Sequence, residues 1–96
     1  MVKTEPFDAA RYLTSARAQS ELLNDALASG NAAYFAHALG VIARARGMTE
    51  VAREAGVTRE ALYKALSEDG DPRLTTLLSV VRALGVTLSA SVKLPD

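Results

Sequence analysis

Thr58, Arg59, Glu60, Tyr63, Lys64 and Ser67 lie within ten residues, and pairs such as Arg59 with Tyr63, Glu60 with Lys64 and Lys64 with Ser67 stand three or four apart, the spacing that gathers side chains onto one face of a helix. Together they offer a guanidinium, an ammonium, a carboxylate, a phenol and two hydroxyls. None of these groups has a nucleophile–base partner at hand, so the chemistry they suit is hydrogen bonding to a polar surface. The edges of base pairs in a major groove are such a surface, with donors, acceptors and methyl groups in a readable order. Arg59 has the fork to bind guanine at two points, and Lys64 suits a phosphate. Glu60 either accepts from cytosine or orients Arg59, and Tyr63 either touches phosphate or packs. The plainer reading pairs Glu60 with Lys64 at i and i+4 as a surface ion pair.

Two short helices must position these groups. In the first, Val51, Ala52 and Ala55 recur at one-turn spacing, with Ala52 small enough for a close helix crossing. Gly56 can take the positive φ that ends that helix in a sharp turn, and Val57 then points back to the core. Thr58 is the expected N-cap of the second helix, with Glu60 in its first turn where negative charge suits the dipole. Leu62, Ala65 and Leu66 form the face to be buried. Such a pair of helices also occurs as mere scaffold in any small bundle.

The rest of the chain supplies the support. A short helix is expected near Asp8–Leu13 after Pro6, and another over Ser15–Ala28 with Leu22, Leu23, Ala26 and Leu27 inward. Residues 32–46 form a third, with Phe35, Ala38, Leu39 and Ile42 on one side, Arg44 and Arg46 near its end and Gly47 closing it. The polar run Glu68–Pro72 breaks the chain before a helix over Leu74–Leu84, whose Leu74, Leu77, Leu78, Val81 and Leu84 share one stripe. From Val86 the period changes to two: Val86, Leu88, Ala90, Val92 and Leu94 alternate with Thr87, Ser89, Ser91 and Lys93, as in a half-buried strand. A lone strand cannot satisfy its backbone, and the other candidate in the chain is Val2-Lys3-Thr4. The strand is therefore expected to pair outside the chain, with a second copy or another protein's sheet edge, against a frayed tail or an internal hairpin. The fold class expected is all-α, a bundle of five or six helices with a short C-terminal β-strand. Residues 1–30 are a helical extension, 31–85 the helix-turn-helix domain, and 86–96 the segment for dimerisation or partner pairing.

Composition narrows the function. The 96 residues suffice for one core. The apolar runs are too short for a membrane span, and Met1–Leu13 lacks the apolar core of a signal peptide, so a cytoplasmic protein is expected. With no cysteine there are no disulfides, thiolate metal sites or cysteine nucleophiles. The single histidine, His37, has Ala33, Tyr34, Gly40 and Val41 as helical neighbours, none a metal ligand or carboxylate. No phosphate loop, paired acids or nucleophile elbow occurs. The expectation is a non-enzymatic protein without metal or cofactor. Eleven basic residues balance eleven acidic ones, which argues against coating nucleic acid by bulk charge. Residues 44–64 alone are net basic, with Arg44, Arg46, Arg53, Arg59 and Lys64 against Glu50, Glu54 and Glu60.

Residues 39–85 resemble the lambda-repressor/Cro-like (Xre-type) helix-turn-helix domains. Val51-Ala52, Gly56-Val57-Thr58, Leu62, Leu77-Leu78 and Ala83-Leu84-Gly85-Val86 stand in matching order. With Phe7-Asp8, Tyr12-Leu13, residues 45–49, residues 59–67 and Arg82–Val86, nearly the whole chain is similar to the addiction-module antidote proteins. That resemblance implies an antitoxin of a type II toxin–antitoxin module, related to the HigA kind. It implies a homodimer that binds a double-stranded DNA operator, represses its own operon and neutralises a toxin of the RelE/ParE/HigB-like group. It also gives Thr58, Arg59, Glu60, Tyr63, Lys64 and Ser67 the outward recognition-helix positions. Xre domains usually carry a phosphate-binding Gln where this chain has Met48; here Thr49 can cap the helix and donate to a phosphate instead. Where many relatives cap the next helix with Ser or Thr, this chain has Arg73. The alternatives are a protein-interaction module whose helix-turn-helix is scaffold, or a solitary regulator without a toxin.

Overall fold

The computed structural model of the chain describes residues 15–95, which form five helices and no strand. The helix expected at Asp8–Leu13 and the Val2-Lys3-Thr4 stretch lie outside the described residues. Helix α1 spans Ala16–Ser29 and begins at Ser15, whose hydroxyl oxygen accepts from the Ala18 amide at 3.1 Å. Helix α2, Ala32–Arg46, starts at Asn31 in the same way, its side-chain oxygen accepting from the Tyr34 amide at 3.1 Å. Each cap gives a partner to an amide that a helix start leaves without one. The two helices pack on each other, and the Tyr34 hydroxyl also donates to Asp25 across the gap at 2.5 Å. That bond to a carboxylate, then burial, then the Asp25 charge hold the phenol above its ordinary 10.0.

Helix α3 (Met48–Ala55), helix α4 (Arg59–Ala65) and helix α5 (Leu74–Ala83) complete the domain, with α3 in contact with α2, α4 and α5. The core lies at this meeting point. Leu39 and Ile42 of α2, Val51 of α3, Leu62 and Leu66 at α4 and Val80 of α5 are its largest fully enclosed side chains. No buried polar side chain interrupts it among the described residues. The helices are short, so their stability comes from this shared apolar face rather than from their own propensity.

The expected stripe on α5 is only half right. Val81 and Leu84 are buried and Leu77 is partly so, but Val80 is also buried, whereas Leu74 is 67% exposed and Leu78 48%. The face that meets α3 is rotated toward Val80, because a helix packs on the side its neighbour reaches. Leu74 and Leu78 are left on the solvent side.

The chain leaves α5 through a glycine turn that repeats the one between α3 and α4. The Val86 amide donates to Val81 O at 3.0 Å and the Gly85 amide to Arg82 O at 3.0 Å, with Gly85 at φ 71°. Arg46 at the end of α2 donates to Leu84 O at 3.0 Å, so one guanidinium serves the negative ends of two helices. Beyond this, the strand expected over residues 86–96 is corrected: residues 86–95 contain none. The reason is the one the backbone dictates. No other described segment offers a ladder, and an extended segment without one is not a strand. Val86 still packs on the core, but Val92 and Leu94 are almost fully exposed.

Candidate nucleic-acid interface

The turn that aims α4 is fixed by its backbone. Gly56 stands at φ 75°, ψ 27°, its amide donating to Arg53 O at 3.2 Å while the Val57 amide reaches Ala52 O at 3.0 Å. Those two bonds close the end of α3, and Val57 follows them onto the core. Ala52 and Val51 are buried, so α3 is locked before the chain turns. Thr58 then caps α4, its hydroxyl oxygen accepting from the Ala61 amide at 3.0 Å. Its hydroxyl proton remains free to donate outward. Leu62 and Leu66 anchor the inner side, and Arg59, Glu60, Tyr63 and Lys64 are exposed on the outer one.

Four of the seven expected site residues thus share the outer face of α4, and Thr58 stands at its start. Two do not belong to that group as expected. Ser67 lies past the end of the helix, which stops at Ala65 with Leu66 as its cap; its hydroxyl donates to Lys64 O at 2.9 Å. Thr49 is exposed but is not a cap. Helix α3 starts one residue earlier, at Met48, with Gly47 before it and no side-chain cap bond. The cause is Met48, which is drawn into the core and takes the first helical position with it. Met48 is thus spent on packing.

No carboxylate among the described residues holds the cations on this face. Among the described residues, Glu60 and Lys64 make no ion pair, so the i,i+4 pairing expected as the plainer reading is not formed. Arg53 approaches Glu50 at 3.8 Å within α3. Arg59 donates to the Tyr63 hydroxyl at 3.4 Å, a long bond, and its guanidinium carbon lies 5.4 Å from the centre of that ring. The Tyr63 hydroxyl first, and the Glu60 charge to a lesser degree, keep the already strong base above its ordinary range.

Sequence reasoning missed two contributors. Ala61 is exposed between Thr58 and Lys64 and adds a methyl group to a face read as wholly polar. Arg44, from α2, brings its guanidinium carbon to 5.7 Å from the Tyr63 ring centre. Nothing in the spacing of the α4 residues could have found it, since it lies nineteen residues from Tyr63 on another helix. Gly40, inside α2, was a signal: a Cβ there would stand 3.1 Å from Leu66 O, so its absence lets the end of α4 lie against α2.

The described residues gather no group of metal-ligating side chains, and none of their helices is long and apolar enough to cross a membrane. What they define is an all-helical domain presenting a polar, basic helix face. Compared with known proteins, the chain matches the family described as "probable addiction module antidote protein" over residues 3–92. It is also 46% identical over 80 residues, covering 83% of this chain and 82% of its relative, to a protein of Haemophilus influenzae named only as uncharacterized. No solved structure matches. The chain belongs to the addiction-module antidote family, and that membership implies a toxin as partner.

Proposed function

We propose that this protein is the antitoxin of a type II toxin–antitoxin module that binds its own operator as a homodimer, represses the operon and neutralises a RelE/ParE/HigB-like toxin, without enzymatic activity. The observation that carries the DNA-binding part is the outer face of α4, where Arg59, Tyr63 and Lys64 are exposed and neither cation is held by a carboxylate among the described residues. In the helix-turn-helix reading, the turn at Gly56 offers that face to a major groove, with Thr58 at the helix start able to donate to the backbone. Residues 44–64 carry the net positive charge in a chain that is neutral as a whole. So small an excess supports specific, dimeric binding rather than coating.

The dimer reading draws on uncovered apolar surface. Leu74 and Leu78 of α5, with Leu88, Val92 and Leu94 beyond it, are exposed large hydrophobic side chains, and the alternating tail still has the pattern of a strand in need of a partner. Two recognition helices held about 34 Å apart would read a pseudo-palindromic site.

Titrating the protein on the DNA upstream of its own gene at two salt concentrations tests the repressor. Affinity should exceed that for random duplex and fall steeply with salt, and Lys64→Ala should weaken binding to all sequences alike and flatten the salt slope by about one per bound copy. Equal binding to random DNA would sink the proposal. Sedimentation of a chain ending at Thr87, which keeps the Val86 contact, should show monomers; an unchanged dimer would rule out the tail as the interface.

A further inference from the structure

We propose that Arg44 and Arg59, gathered at the ring of Tyr63, form a binding site for one backbone phosphate of the bound duplex. The inference rests on the DNA-binding reading and adds a residue that lies outside the two-helix unit.

Three observations carry it. Both guanidinium carbons lie over the Tyr63 ring, at 5.7 Å for Arg44 and 5.4 Å for Arg59, within the range where a ring's negative face attracts a cation. Each cation thus lies against the same exposed ring. Among the described residues, neither has a carboxylate within ion-pair distance, although Glu60 is on the same short helix as Arg59. Of the other basic groups in residues 44–64, Arg46 donates to Leu84 O and Arg53 approaches Glu50, while Lys64, with no ring beneath it among the described residues, is the lone ammonium on the face. A pair of ring-held forks without carboxylate partners among the described residues suits an anion with several oxygens, which guanidinium binds at two points.

The position favours phosphate over a base edge. Arg59 stands in the first turn of α4, whereas Arg44 comes from the last turn of α2, beside that helix rather than on it. Gly40 sets this approach: one turn before Arg44, the missing Cβ lets α2 lie against Leu66 at the end of α4. A duplex whose groove receives α4 runs its backbone past the flanking element, and contacts from flanking elements fix register without reading sequence. Tyr63 acts here as a positioning residue, since its ring orders both arginines.

Salt titrations on two probes, the duplex upstream of the gene and a duplex of random sequence, test the site. With Arg44→Ala, affinity for both should drop by the same factor, and the slope of log affinity against log salt should flatten by about 0.9 per bound copy. Arg44→Lys should restore the slope. Tyr63→Phe keeps the ring but loses the hydroxyl that accepts from Arg59 at 3.4 Å, so it should weaken both probes less than Tyr63→Leu does. Tyr63→Leu keeps both charges, so it should weaken both probes while the slope stays. Circular dichroism of each variant checks the fold; Arg44 and Tyr63 are at the surface, outside the core. If the wild type binds and Arg44→Ala leaves the slope unchanged, the phosphate site is overturned and the DNA-binding reading stands. A loss on the upstream duplex alone would make Arg44 a base reader and equally overturn it, as would weakened toxin binding with DNA binding intact. If the wild type binds neither duplex, the DNA-binding reading falls and takes the site with it.

Discussion

The two-helix unit α3–α4 and the C-terminal part of the molecule are both rich in apolar residues, yet they end in opposite states. In the first, Val51, Ala52, Leu62 and Leu66 are all buried against α2 and α5. In the second, Leu74 and Leu78 on the outer side of α5 and Leu88, Val92 and Leu94 in the tail stay exposed. The contrast teaches that an apolar pattern specifies a face, not what covers it. Around Gly56 the turn brings the covering helix along with the pattern. After Gly85 the same kind of turn leads into a segment that meets no ladder among the described residues.

Leu62→Ala attacks the contrast where the effect should be largest. Leu62 is fully enclosed, so its loss should cost about 2–5 kcal/mol in denaturant unfolding. A cost under about 1 kcal/mol would mean that α4 is held from outside rather than by the core. Thr58→Ala removes the cap of the same helix and should cost about 1 kcal/mol, with Thr58→Ser close to wild type. At the other pole, Leu78→Ser should change the stability of the folded monomer by no more than about 0.5 kcal/mol. It should abolish any dependence of the wild-type unfolding midpoint on protein concentration, because that dependence belongs to an associated state. A concentration-independent wild type would place the exposed leucines outside a dimer interface.

Much of the two-helix unit was legible because its determinants are local. The apolar spacing of Val51 to Ala55, the turn at Gly56 and the cap at Thr58 each act within one or two turns, and the structure repeats them. The start of α3 was not legible. Thr49 has the chemistry of a cap, but burial of Met48 decided the matter from across the core. Ser67 was placed on the helix by extending a period that the chain abandons after Ala65. The stripe on α5 was legible as apolar, though not its rotation toward Val80, which depends on where α3 approaches. Arg44 was visible as a charge suited to a helix end and as part of the net basic stretch 44–64; its meeting with Tyr63 depends on the crossing that Gly40 permits.

By itself, then, the sequence determined the helices, their breaks, the polar face of α4 and the alternating tail, because periodicity, capping and turn chemistry act between residues close in the chain. Tertiary structure alone decided which apolar residues were covered, which cations stayed free of carboxylates and which arginines share the Tyr63 ring. Those outcomes depend on distances between helices, and a residue's neighbours across the core are set by packing rather than by its place in the chain.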